Sequence, residues 1–180
     1  MRFEKSFRVA LVCAGAMMAS YSATAAVACS MRLSGHAHFQ MAAANIYSDT
    51  ADAKEEIRHA VLKAAAEHKR VLLDFGGNWC GDCQLLNIYF QDPSNAALLA
   101  ANYVLVDVSV GQYDKNLDVV RKYGIPLNKG VPALAVLDGA GRVVYAQRNG
   151  EFESMRKLDS SVVSEFLEKW KPKAAVHHHV

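Results

Sequence analysis

The sequence has 180 residues, 52% of them hydrophobic and 21% charged, with 11 Gly, 4 Pro and 4 Cys. These proportions exclude collagen, low-complexity disorder and a cysteine-dense disulfide scaffold, and the length suits one domain that buries a core without staples. The formal charge of +2 is distributed unevenly, with the excess lying at the N-terminus.

There, Arg2, Lys5 and Arg8 precede an apolar run over 9–19, and the small residues Ala23, Ala25, Ala26 and Ala28 follow. A basic start, a short apolar middle and a small-residue cleavage site are the order of a secretory signal peptide. The run is shorter than the roughly 20 residues of a membrane helix, so residues 1–28 are expected to be removed, by cleavage after Ala25 or after Ala28. The second cut makes Cys29 the first mature residue. Ala26-Val27-Ala28-Cys29 is similar to a bacterial lipoprotein box without its usual Leu, which makes Cys29 a candidate for lipidation. Ordinary cleavage beside an incidental Cys is the preferred reading. Removing the leader takes away three bases and one acid and leaves a formally neutral protein. With no basic stripe, nucleic acid and acidic membrane are excluded as main partners.

Residues 29–44, rich in Ala, Ser, Gly, Met and His without a helical or strand period, read as a flexible tether. The domain is expected over 45–171. Asp49 or Thr50 can cap a helix running to about residue 69, with Ile57, Ala60, Val61, Ala64 and Ala65 on one face. A strand follows at 71–75 and is broken by Gly76 and Gly77. Trp79-Cys80-Gly81-Asp82-Cys83 opens a second helix with apolar contacts from Leu85, Leu86, Ile88, Tyr89 and Phe90, ended by Asp92-Pro93. A short helix at 96–101, a buried strand at 103–109 and a helical piece at 117–123 come next, the last stopped by Gly124 and Pro126. Strands at 131–137 and 142–147 are joined by Asp138-Gly139-Ala140-Gly141, a hairpin turn. Asp159 or Ser160 starts a last helix with Val162, Val163, Phe166, Leu167 and Trp170 facing inward, and 172–180 read as a disordered tail. This order implies an α/β sandwich around a mixed sheet.

The chemistry concentrates at Cys80 and Cys83. Two cysteines separated by two residues at the start of a helix can close a small disulfide, and the helix N-terminus stabilises the thiolate of the first. Cys80 is then the exposed nucleophile, while Cys83, one turn further in, attacks the mixed disulfide and releases product. Gly81 leaves room for a substrate. A structural disulfide competes poorly, because so small a loop stabilises little through chain entropy. Half of a zinc site needs further ligands, which Cys29, His36 and His38 would have to bring from the tether.

Val71-Leu72-Leu73-Asp74-Phe75, Trp79-Cys80-Gly81-Asp82-Cys83 and Gly130-Val131-Pro132-Ala133 together resemble the thioredoxin family over about residues 45–170. The resemblance implies a thioredoxin-like fold, a central mixed β-sheet flanked by helices, and thiol-disulfide exchange without a bound cofactor. It implies Cys80 as nucleophile, Cys83 as resolving thiol, Asp74 as the buried acid that helps deprotonate Cys83, and Pro132 as the cis-proline beside the disulfide. A carboxyl ending a buried strand should have a raised pKa, which suits that role; a helix cap or a hydrogen-bonded core acid is the alternative. A cis Val131-Pro132 bond leaves the Val131 backbone free to pair with an extended substrate. Trp79 is read as a lid that guides partner docking, with simple packing as its alternative. The partners implied are cysteine-containing exported proteins and a membrane-embedded thiol donor that re-reduces the pair. The location implied is the periplasm, with membrane attachment only through a lipid on Cys29.

The chain also departs from the family pattern. Asp82 stands where many thioredoxins carry Pro, and a negative charge near Cys80 should disfavour its thiolate, pointing to a reductant. Gly76-Gly77-Asn78 replaces a bulkier segment, so open space and a mobile loop are expected. Leu105 or Val106 falls where some members place a Lys near the acid, leaving Asp74 without that partner. Pro126-Leu127-Asn128 is an extra stretch before the proline loop. Met31, His36, His38 and Met41 with Cys29 could form a soft-metal site, but the tether reading is preferred and no metal is expected. His177, His178 and His179 read as a natural tail or a cloning remnant. The alternatives to a reductant are a disulfide oxidant or isomerase and, in another class, a non-catalytic binding or metal-handling protein.

Overall fold

The computed structural model describes residues 44–173. The leader, Cys29, almost all of the tether and the histidine-rich end lie outside the described residues.

Helix α1 (Ala53–Ala66) starts later than the two candidate caps suggest. Ser48 Oγ accepts from Thr50 N at 3.3 Å and Ala51 N at 3.1 Å, which holds 48–51 in a turn. Asp52 then caps the helix by accepting from Lys54 N and Glu55 N. The helix ends at Ala66, short of the expected residue 69, because His68 takes a left-handed φ of 56° and Lys69 N closes back on Ala64 O.

Strand β1 (Arg70–Gly76) leads into α2 (Gly81–Gln91). Asp92 ends α2 and also caps α3 (Pro93–Asn102), accepting from Ser94 N, with Pro93 at the first helical position. The aspartate read only as a stop is therefore also a start. Strand β2 (Tyr103–Ser109), α4 (Leu117–Lys122) and a single 3-10 turn at Leu127–Lys129 follow. The extra stretch before the proline loop is that turn. Strand β3 (Ala133–Leu137) begins after Pro132, which has no N–H to give a ladder. Strand β4 (Val143–Ala146) starts one residue late because Arg142 is held in the turn by Asp138. Helix α5 (Ser160–Trp170) closes the domain; among its expected inward residues, Val163, Phe166 and Leu167 are buried and Val162 and Trp170 half-buried.

The strands pair in the order β2-β1-β3-β4. β1 runs parallel to β2 and antiparallel to β3, and β3 runs antiparallel to β4. Alternation along β1 feeds two apolar layers. Val71, Leu73 and Phe75 join Ile57, Ala60 and Ala64 of α1 and Val119 and Val120 of α4. Leu72 joins Leu86 and Phe90 of α2 and Val163, Phe166 and Leu167 of α5. This is the expected mixed sheet between helices. The antiparallel register sets Phe75 opposite Ala133, so the chain leaving β1 toward α2 lies beside the chain entering β3. That juxtaposition builds the site. No described helix is long and apolar enough to cross a membrane.

Candidate active site

Cys80 is the N-cap of α2. Its Sγ accepts from Cys83 N at 3.1 Å, so a backbone N–H and the positive end of the helix both act on this sulfur. Cys80 and Cys83 are joined by a disulfide with Cα atoms 5.2 Å apart. Cys80 is 6% exposed and Cys83 0%.

The Val131–Pro132 bond is cis, as expected. Val131 O lies 3.5 Å from Cys80 Sγ, where it can accept from the thiol of the reduced form. The proline loop is held from behind by Gln147, a fully buried amide that sequence reading passed over as a strand end. Its Nε2 donates to Pro132 O at 3.2 Å and its Oε1 accepts from Leu134 N at 3.3 Å. Only the β3–β4 pairing reveals this contact.

Trp79 is 46% exposed beside Cys80. Its Nε1 donates to Gly111 O at 2.6 Å, and its ring lies 5.4 Å from that of Tyr113, which sequence reading also missed. The indole is thus both anchored and available on the surface next to the disulfide.

Asp74 is 1% exposed. Tyr47 Oη donates to its Oδ2 at 2.8 Å, and Oδ1 has no partner among the described residues. The parallel register places Asp107 directly opposite Asp74. Burial first, then the charge of Asp107, push the Asp74 pKa well above the ordinary carboxylate value, against the lowering effect of the Tyr47 bond. Asp107 is itself pushed up to about 6 by burial and then by Glu56. The carboxyl at Asp74 thus meets a phenol and a second acid instead of a cation. Leu105, at 37% exposure, and Val106 offer none. Nothing in the sequence flags Tyr47, which lies 27 positions upstream, and Asp107 is disclosed only by strand register.

Two expectations about the loop need correction. The space freed by Gly76-Gly77-Asn78 is filled: a Cβ on Gly76 would strike Tyr47 Oη, and one on Gly77 would come within 2.6 Å of Trp79 Nε1. Asn78 is pinned, its Oδ1 accepting from Ile46 N and Tyr47 N and its Nδ2 donating to Tyr47 O and Asn45 Oδ1. Asp82 is not a bare charge. Arg156 donates to it from Nη2 at 2.7 Å, and from Nε and the backbone N at 3.1 Å each. That guanidinium lowers the Asp82 pKa and offsets its effect on Cys80.

No group of three or more His, Cys, Asp or Glu among the described residues could hold a metal ion. Cys29, Met31, His36, His38 and Met41 lie outside them.

A family model described as thioredoxin-like matches residues 50–139. Among solved structures, a disulphide isomerase from Xylella fastidiosa Temecula1 is 34% identical, covers 71% of this chain and 98% of its own, and superposes with a TM-score of 0.68. A thioredoxin from Thermus thermophilus is 23% identical over 68% of this chain and 94% of its own, with a TM-score of 0.48. No curated protein matches the sequence.

Proposed function

The chain belongs to the thioredoxin-like family, and on that premise we propose that it reduces disulfides of other exported proteins through Cys80 and Cys83. It is a thiol-disulfide oxidoreductase. The observation that carries the roles is the asymmetry of the pair: Cys80 caps α2 and keeps a small solvent-accessible area, while Cys83 has none. The Cys80 thiolate attacks a substrate disulfide and forms a mixed disulfide; Cys83 then displaces the substrate sulfur. Asp74 takes up the proton that Cys83 must lose. Trp79 and the cis-Pro132 loop bracket Cys80, and the Val131 backbone pairs with an extended substrate segment.

The reducing direction is supported by the surroundings of Cys80. Its sulfur receives one N–H and faces one carbonyl, and the nearby acid is matched by a single guanidinium. Such surroundings give the thiolate no excess of positive charge, the feature that makes a strong oxidant. The leader-like residues 1–28 support a periplasmic location, with attachment to a membrane only if Cys29 is lipidated. In that oxidising compartment a membrane thiol donor restores the dithiol.

A second reading, disulfide isomerase, is favoured by the description of the Xylella relative. Three measurements separate these. With a small dithiol as electron source, the protein should reduce insulin and Cys80→Ser should not; an inactive wild type sinks the proposal. A reduction potential below about −200 mV is expected, and one near −120 mV overturns the reducing direction. Reactivation of scrambled ribonuclease exceeding that of a simple reductant supports the isomerase.

A further inference from the structure

We propose that Tyr47 is the relay through which Cys83 loses its proton: the phenol hydroxyl accepts from the Cys83 thiol while passing its own proton to Asp74. The inference rests on the dithiol exchange proposed above and adds the route by which its second step is made possible.

Cys83 must ionise before it can attack, yet it is 0% exposed, so its proton has to leave through the protein. Asp74 is the buried acid nearby, and its Oδ2 is already engaged by Tyr47 Oη at 2.8 Å. Gly76 shows that the phenol and the thiol border one gap. A Cβ built there would collide with Tyr47 Oη and would lie 2.9 Å from Cys83 Sγ. Oxygen and sulfur therefore border the same gap above a residue that has no side chain. Because the phenol donates to Asp74, its lone pairs remain available to accept from the thiol.

The phenol is held for this task. Tyr47 is 0% exposed, and Asn78 accepts from its N–H and donates to its C=O. Asn78 directly precedes Trp79-Cys80, so the loop that carries the nucleophile also fixes the relay. Burial and the neighbouring Asp74 raise the Tyr47 pKa far out of the physiological range. A free tyrosinate is thereby excluded, and the two protons move together. The groups acting on Asp74 are Tyr47 and Asp107 of β2, and the cleft beside Asp107 is lined by Glu56, His59 and Lys63 of α1. Burial and then the charge of Asp107 keep the proton affinity of Asp74 high, which narrows the gap to the thiol it must deprotonate.

The step balances as follows. In the mixed disulfide, Cys83 gives its proton to Tyr47 Oη as the Tyr47 proton passes to ionised Asp74. The Cys83 thiolate attacks Cys80 Sγ, the bond to the substrate sulfur breaks, and the substrate leaves as a thiolate that is protonated from solvent. The protein dithiol is oxidised by two electrons, the substrate disulfide is reduced to two thiols, and Tyr47 ends unchanged.

Reaction of the reduced protein with 5,5′-dithiobis(2-nitrobenzoate) reports both halves, since one coloured thiolate is released by Cys80 attack and the second by Cys83. Tyr47→Phe keeps the ring in the core and should leave the first phase unchanged. Its second phase at pH 7 should slow roughly tenfold, with the difference shrinking at high pH as hydroxide ionises Cys83 directly. Adding Tyr47→Phe to Asp74→Asn should cost little more than Asp74→Asn alone, because both lie on one path. A second phase in Tyr47→Phe equal to wild type in rate and pH profile overturns the relay and leaves the exchange standing, as do losses from Tyr47→Phe and Asp74→Asn that multiply. A wild type that releases only one thiolate sinks the exchange reading itself, and the relay with it.

Discussion

At the residue scale, the reactivity of Cys80 is set by a few charges within reach of one helix turn. Asp82 opposes the thiolate, and Arg156 cancels Asp82 through three hydrogen bonds. Arg156→Ala should therefore raise the Cys80 pKa and slow its alkylation at pH 7 by about three- to tenfold, while Asp82→Asn should speed it. The pH dependence of iodoacetamide labelling reads both. The buried acids give a second prediction, this time for stability. The Asp107 carboxyl holds its proton more tightly when folded, up to about 6, than when unfolded. Its favourable contribution is complete below the unfolded value and is lost as pH rises from about 4 to above 6. Asp107→Asn should consequently gain on wild type over that window, by about 1–2 kcal/mol at pH 7.5 relative to pH 4. Urea denaturation at the two pH values measures it; a pH-independent difference would contradict the assignment. Cys80, Cys83, Asp74 and Pro132 are legible in the sequence because their chemistry is local or their motif is compact. Tyr47, Asp107, Gln147 and Arg156 are not, because each reaches its partner from a distant segment and none carries a local signature.

At the element scale, the site is assembled by side chains that fasten one segment to another. Asn78 ties residues 45–47 to the loop before α2, and Gln147 ties β4 to the proline loop. Asn78→Ala leaves the Tyr47 N–H and C=O without these partners and should cost about 2 kcal/mol, with hydrogen exchange at Tyr47 accelerating before that of β1. Gln147→Ala should cost a similar amount and lower disulfide reductase activity by loosening Pro132, leaving Cys80 alkylation little changed. The elements themselves were readable from apolar periodicity and breakers, whereas their ends were decided by bonds that periodicity does not contain. Ser48 delays α1, His68 in a left-handed conformation shortens it, and Asp92 serves two helices at once. The glycines before the site were misread for the same reason: a missing side chain signals either space or a close neighbour, and here Tyr47 and Trp79 occupy the space.

At the scale of the whole molecule, the mixed sheet brings the end of β1 and the start of β3 together, and the positive end of α2 points at the sulfur between them. Fold and chemistry are thus linked by topology: the register that opposes Phe75 with Ala133 also sets Cys80 against Val131. The fold class could be read from the alternation of strands and helices together with one short motif. The central claim is that Cys80 is an ionised, reachable thiol and that Cys83 waits behind it. Its most direct test is competitive alkylation of the reduced, folded protein at pH 7 with limiting iodoacetamide, followed by peptide mapping. Cys80 should be labelled at least about tenfold faster than Cys83; equal, slow labelling of both, or labelling of Cys83 first, would contradict the account.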